Sequence, residues 1–346
     1  MNKKINVFYS GVHNMVKKIF FAIGGGEIGR TKTLEDGSVK EYPVETMHID
    51  KQIIKYSSKS NPNLLVVGTA NKDDDGYYGV VEKHYSQRLN CNVSRLDTTR
   101  NSYNKDQLEQ IVFSADIIYI SGGDTRYMLE EWKKSGLDQI LIDAYNKGII
   151  IAGCSAGAIC WFDYYDNFDY RDEENFKPEL LEGLGLFKGM AVPHYDKVSK
   201  ADRKIIKDLF KGKEGVLFNI NNKEAVLFEN KEFRYIHSLD KLLKDYHSYH
   251  HKILNPMIRE LFKKLDDEDK EIKLFEIIGY NMILAHSIDY LYELELVRKS
   301  LTKKELKRMQ FIKNLDKLYS VDGANFANGK FEIIDAVNNS IKHSFL

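Results

Sequence analysis

The stretch Ile149-Ile150-Ile151-Ala152-Gly153-Cys154-Ser155-Ala156-Gly157-Ala158-Ile159 decides how this chain is read. Its first four residues are apolar and mostly β-branched, which suits a strand covered on both faces. A Gly-x-Ser-x-Gly pentapeptide follows, then the small residues Ala156 and Ala158, which open a helix. Strand, sharp turn and helix in that order hold a serine in a strained backbone at the tip of the turn. Glycines on either side of it let strand and helix approach without a Cβ clash. The free amides of the first helical turn favour developing negative charge. Ser155 is therefore the candidate nucleophile, although the same residues would also serve a plain strand–helix turn with a serine N-cap. Cys154, one residue before the apex, reads as a buried structural thiol.

Outward from this stretch, apolar runs of strand length recur at 19–23, 64–67 and 117–120, and with 149–152 each is almost continuously apolar. Helical patterns lie between them at 47–59, 78–90, 105–114, 124–134 and 137–147. The alternation predicts an α/β fold, a mostly parallel open sheet with helices on both faces. Right-handed crossovers then bring the carboxyl-end loops to one rim, where ligands bind. Later runs at 216–220, 225–228 and 233–236, separated by Asn221-Asn222-Lys223 and Glu229-Asn230-Lys231, read as an antiparallel extension or edge hairpins. Past residue 240 the pattern changes. Leu243, Tyr246, His250, Ile253, Met257 and Leu261 recur at helical steps, and further helices are expected at 271–298, 302–318 and 332–343. The reading is an N-terminal extension at 1–14, with Met15 as a second candidate start, a catalytic domain at 15–239 and an all-helical appendage at 240–346. The appendage is read as packing on the catalytic domain or as a homo-oligomer interface.

Composition narrows the class. The 346 residues carry 51 basic and 51 acidic side chains, so no global field points to nucleic acid. Three cysteines, Cys91, Cys154 and Cys160, make neither a disulfide framework nor a zinc spacing, and fit a reducing cytoplasm. The first residues lack the apolar core of a signal peptide. No uncharged apolar run approaches the roughly 20 residues that span a bilayer, so neither membrane nor nucleic acid is expected as a partner.

A serine nucleophile needs a base. His194, in Val192-Pro193-His194-Tyr195-Asp196, follows the short apolar run 190–192 and is the best of the ten histidines. His13, His48 and His84 lie in the extension or in helical segments, where packing or solvation is the ordinary fate of a histidine. His237 ends a strand-like run and is less easily set aside. Gly122-Gly123-Asp124-Thr125 follows another buried strand, and its glycines would let backbone N–H groups approach a reacting carbonyl together with the amide of Ala156. Asp124 also suits an N-cap.

Together, Ser121-Gly122-Gly123-Asp124-Thr125, the Ser155 motif and Pro193-His194-Tyr195-Asp196 resemble the dipeptidase E (aspartyl dipeptidase) family of serine peptidases, to which cyanophycinase is related. The likeness covers about residues 16–239. It implies a fold like that of class I glutamine amidotransferases, in the flavodoxin-like manner, with serine in place of their cysteine. It also implies hydrolysis of small peptides without metal or other cofactor, in the best-known members dipeptides with N-terminal aspartate. Carried over by position, Ser155 is the nucleophile, His194 the base, and Gly123 and Ala156 the oxyanion donors. Gly122, Asp124 and Arg126 are read on the substrate side; aspartyl specificity would require a cation, for which Arg126 and Arg171 lie close in sequence. The acid falls within 167–172, where Asp169 is preferred to Asp172. Asp196, in a His-x-acid pair, is the third choice.

The sequence admits two other readings. Gly24-Gly25-Gly26-Glu27-Ile28-Gly29 formally matches a dinucleotide fingerprint, with Asp50 further on. The polar residues 30–37 that follow it lack a helical stripe, which favours a loop on the substrate side. A catalytically silent amidotransferase-like module is the other. His247, His250, His251 and His286 read as packing or surface histidines rather than a metal cluster, since the Glu-x-x-His pairs of bundle metal sites are missing.

Overall fold

The computed structural model describes residues 16–230, 232–265, 274–298 and 306–318. The extension at 1–14, Met15, the helix expected at 332–343 and the starts of those expected at 271 and 302 lie outside them. The described residues form two compact units that divide between Ile236 and His237.

The first unit begins with β1 (Ile19–Ile23), an exposed hairpin of β2 (Thr31–Thr33) and β3 (Val39–Glu41), and helix α1 (Met47–Ser57). Then come β4 (Asn63–Val67), α2 (Asp75–Glu82), β5 (Asn92–Leu96), α3 (Lys105–Phe113) and β6 (Ile117–Ile120). Helices α4 (Thr125–Ser135) and α5 (Leu137–Asn146) lead to β7 (Ile150–Cys154) and the short α6 (Ala156–Ile159). After these come β8 (Phe162–Asp166), β9 (Leu180–Glu182), β10 (Phe187–Val192), α7 (Lys200–Phe210), β11 (Val216–Asn219), β12 (Ala225–Glu229) and β13 (Glu232–Ile236).

The main sheet has the order β13-β12-β1-β7-β6-β4-β5. Its strands from β1 to β5 are all parallel, and the β12–β13 hairpin adds antiparallel to β1. Side chains alternate along each strand, and here both sets are apolar. Phe20, Ala22, Leu65, Val67, Ile118, Ile120 and Ile151 pack with α3, α4 and α5 through Leu108, Met128, Trp132 and Leu141. Ile19, Phe21, Ile23, Leu64, Val66, Ile117 and Ile150 pack with α1 and α2 through Ile49, Ile53 and Val81. A core on each face is why these strands read as unbroken apolar runs.

The later strands depart from the expectation of one antiparallel extension. Only the runs near 225 and 233 form the edge hairpin. The run near 216 becomes β11 of a second sheet, ordered β11-β10-β8-β9, in which it lies parallel to β10. Gly189 and Gly215 permit that pairing, because a Cβ on Gly189 would lie 2.1 Å from the Val216 carbonyl oxygen.

In the second unit, α8 (Leu239–Tyr249) passes through one π-helical turn, His250–Leu254, into α9 (Asn255–Leu265). Helix α10 (Leu274–Arg298) packs on α8 through Tyr249, whose hydroxyl donates to the Ile283 carbonyl. It meets α11 (Arg308–Leu318) through Ile288, Tyr292 and Leu296 against Phe311 and Ile312. Among the described residues no helix is long and apolar enough to cross a membrane.

Candidate active site

Ser155 stands between β7 and α6 with φ 52° and ψ −113°, outside the ordinary region for a side-chain-bearing residue. Two tight contacts hold it there. A Cβ on Gly153 would lie 1.9 Å from the Gly157 carbonyl oxygen, and one on Gly157 would lie 2.4 Å from that of Ile120. Both glycines of the pentapeptide are therefore needed to bring strand and helix together. The Ser155 N–H donates to the Ile23 carbonyl at 3.0 Å, which ties the elbow to β1.

His194 occupies the carboxyl end of β10, also with positive φ, 47°. Its Nε2 lies 3.0 Å from Ser155 Oγ. Its Nδ1 lies 2.7 Å from Asn222 Oδ1, and Asn222 in turn meets Asp196. The Asn222 backbone N–H donates to Asp196 Oδ1 at 2.7 Å, and its side-chain Nδ2 donates to both carboxylate oxygens at 3.0 and 3.1 Å. Partial burial works to raise the Asp196 pKa, but the Asn222 donors outweigh it and hold the carboxyl below its usual range.

The residue that meets His194 Nδ1 is thus Asn222 and not the expected Asp169. The segment that carries Asp169 turns toward α4: Tyr170 donates its hydroxyl to Asp124 Oδ1 at 2.6 Å and accepts the Arg126 N–H at 2.9 Å. Asp169 and Asp172 are both solvent-exposed. Asn222 arrives instead because β11 runs parallel to β10. Past the paired strands, Ile220 N–H donates to Val192 O and Tyr195 N–H to Ile220 O, so the chain continues alongside His194. A search for acids passes over an asparagine. The available signal was a polar residue just past an apolar run, informative only once that run is known to lie beside the histidine's strand.

The glycine run after β1 serves this assembly. No helix follows it; the exposed β2–β3 hairpin does, and Asp50 is buried against Thr46, His84 and Tyr85. The dinucleotide geometry is therefore missing. Instead Gly24 O accepts the His194 N–H at 2.8 Å and Gly25 O accepts the Lys223 N–H at 2.8 Å. Gly25, at φ +132°, lies so close that a Cβ there would sit 2.4 Å from His194 Nδ1 and 2.5 Å from Asn222 Oδ1.

Gly122 and Gly123 pass beside the serine. A Cβ on Gly122 would lie 3.2 Å from that of Ser155, while one on Gly123, at φ +143°, would strike the Ala70 carbonyl oxygen at 2.2 Å. Ala156 is the first residue of α6, where an amide has no partner within its own helix. Asp124 caps α4 by accepting from the Tyr127 N–H. Arg126 pairs with Glu173 at 2.8 Å and stacks 3.7 Å over the Tyr170 ring. Burial first, and the Asp50 carboxylate second, push the Cys154 thiol up to about 12 despite a hydrogen bond from Tyr119 that acts to lower it, so it stays protonated near neutrality.

A model of peptidase family S51 matches residues 37–236. The chain belongs to this family, the dipeptidase E family. It is 33% identical over 154 residues to the uncharacterized peptidase YgaJ of Bacillus subtilis (strain 168), across 44% of this chain and 63% of that protein. It is 27% identical over 160 residues to the uncharacterized peptidase Lin0382 of Listeria innocua, across 45% of this chain and 75% of that protein. The chain thus spans just under two thirds of YgaJ. In fold it is similar to a peptidase from an acI-B1 Actinobacterium, with TM-score 0.50 at 20% identity over 65% of this chain and 89% of the other. Among the described residues, no group of three His, Cys, Asp or Glu side chains is arranged to hold a metal.

Proposed function

We propose that this S51 member is a serine peptidase of small peptides that works through an acyl-enzyme on Ser155. The observation that carries the reading is Ser155 Oγ 3.0 Å from His194 Nε2, with the serine in a strained elbow. That separation is hydrogen-bond reach for a nucleophile and its base. In the reaction His194 Nε2 takes the Ser155 proton as Oγ bonds to the scissile carbonyl carbon. The negative charge moves to the carbonyl oxygen, toward the amides of Gly123 and Ala156. His194 then returns the proton to the amine, the C–N bond breaks, and water releases the acyl group by the same steps reversed in role.

Asn222 takes the orienting place on Nδ1. Asparagine fills the same place in cysteine peptidases of the papain kind. The substrate class follows the family: short peptides, with N-terminal aspartate as the first candidate. Gly122 borders the serine, while Asp124 is engaged by the Tyr127 N–H and the Tyr170 hydroxyl. Arg126 is already engaged by Glu173, so a substrate carboxylate there would have to compete with that pair.

A fluorophosphonate probe tests the reading. Labelling at Ser155 that disappears in Ser155→Ala and falls steeply in His194→Ala is the expected result. No labelling, with no turnover of an Asp-X and Gly-X dipeptide panel, would favour a catalytically silent module instead.

A further inference from the structure

We infer that Asp196 is a positioning residue that sets the proton on His194 at second hand, through the amide of Asn222. The inference deepens the serine peptidase reading and rests on it. His194 has an asparagine on Nδ1 where a serine hydrolase ordinarily has a carboxylate. An amide can present either its oxygen or its NH2, so by itself it does not choose the tautomer of the ring.

Asp196 makes the choice. An ionised carboxylate only accepts hydrogen bonds. Its Oδ1 already takes the Asn222 backbone N–H at 2.7 Å, and the side-chain atom 3.0 and 3.1 Å from its two oxygens must therefore be Nδ2. The other end of the amide is then Oδ1, which faces His194 Nδ1 at 2.7 Å. An oxygen there requires Nδ1 to carry the hydrogen. That leaves the Nε2 lone pair toward Ser155 Oγ, the tautomer a general base needs.

Surrounding contacts hold the amide in place but do not tell its oxygen from its NH2, so the choice of end falls to Asp196. Gly25 leaves no room on one side of the His194–Asn222 contact, and the Lys223 N–H, next along the chain, is bonded to Gly25 O. His194 and Asp196 lie on one short turn, Asp196 within the single helical turn Tyr195–Lys197 and His194 at its N-cap. The order Ser155, His194, Asn222, Asp196 is a chain of four in which the carboxylate stands one link further out than usual.

The test is made on the full-length chain with three variants, Asp196→Asn, Asn222→Asp and the exchange Asn222→Asp/Asp196→Asn. Rates of p-nitrophenyl acetate hydrolysis and of fluorophosphonate labelling are read beside the 15N signals of the neutral His194 ring and the melting temperature. Asp196→Asn removes the acceptor-only group, so the Asn222 amide can face either way. Its kcat should fall on the order of ten- to a hundred-fold, the size of loss seen when the partner that fixes a histidine tautomer is removed from metal sites. KM should change little, and the ring signals should show both tautomers.

Asn222→Asp alone sets two carboxylates against each other and should also be impaired. The exchange restores one carboxylate and one amide; the backbone N–H bond is kept and the Nδ2–Oδ2 bond is reversed in direction, while the second contact to Oδ1 is lost. It should recover at least several-fold over Asp196→Asn and show a single Nδ1–H tautomer again. An Asp196→Asn enzyme with wild-type kcat and an unchanged Nδ1–H signal overturns the inference, as does an exchange variant that is folded but no better than either single. If the wild-type chain neither labels nor turns over ester, the peptidase reading fails instead, and the ring signals still report whether Asp196 selects the tautomer.

Discussion

Gly25→Ala is the sharpest test of how the site is built. At φ +132° any side chain is strained, and the added Cβ would meet His194 Cε1 at 2.3 Å, Nδ1 at 2.4 Å and Asn222 Oδ1 at 2.5 Å. Non-bonded carbon contacts settle at about 3.5 Å, so relief needs roughly 1 Å of movement. The Gly24–Gly25 backbone is pinned to His194, Lys223 and Glu224 by hydrogen bonds, so the imidazole and the Asn222 amide are what must move. A misplacement of about 1 Å in a catalytic group costs on the order of a hundred-fold in rate. The backbone strain itself costs about 1–3 kcal/mol, which lowers Tm by roughly 2–12 °C for a unit of this size. The assay pairs the fluorophosphonate labelling rate at Ser155 with a thermal melt. Gly37→Ala is the control, because Gly37 has positive φ but open space around it, and it should keep the wild-type labelling rate. A folded Gly25→Ala protein that labels at the wild-type rate would refute the claim that this glycine makes room for the His194–Asn222 pair.

Other outcomes follow from the same geometry. Asp169→Ala should change the labelling rate by less than about two-fold, because Asp169 is exposed on the turn that leads to Tyr170, whereas Asn222→Ala, which removes the half-buried hydrogen-bond partner of His194 Nδ1, should cost about ten-fold or more. Asp50→Ala strands the buried donors of Thr46, His84 and Tyr85. It should destabilise the first unit by about 3 kcal/mol or more in urea, and a loss under 1 kcal/mol would show that these groups find other partners. Cys154 titrates at about 12, above its ordinary value, so its reactive thiolate is scarce at all lower pH; iodoacetamide at pH 8 should leave it unmodified in the native protein and modify it in denaturant.

Much of the first unit was legible because the information is local. A strand buried on both faces must be apolar at successive positions, and 19–23, 64–67, 117–120 and 149–152 have that pattern. β5, Asn92–Leu96, does not, since Asn92 and Ser94 are exposed and its pattern is that of an edge. The edge hairpin β12–β13 was legible as two runs around a turn. β11 looked the same in sequence, yet it lies parallel to β10 in a different sheet, a pairing that depends on partners far apart along the chain.

The site divides along the same line. Residues 149–159 by themselves determined that a serine would stand in a strained turn, because the glycines and alanines that permit the turn are its immediate neighbours. The order of three motifs determined the family. Which residue meets His194 Nδ1 was decided only by tertiary structure. It depends on β11 running beside β10, on the 167–172 segment turning instead toward Asp124, and on Gly25 leaving space where the chains meet. None of these contacts is between sequence neighbours. Hydrogen bonds of this kind act on position and not on residue class, so an asparagine could take the place in which the sequence suggested an aspartate.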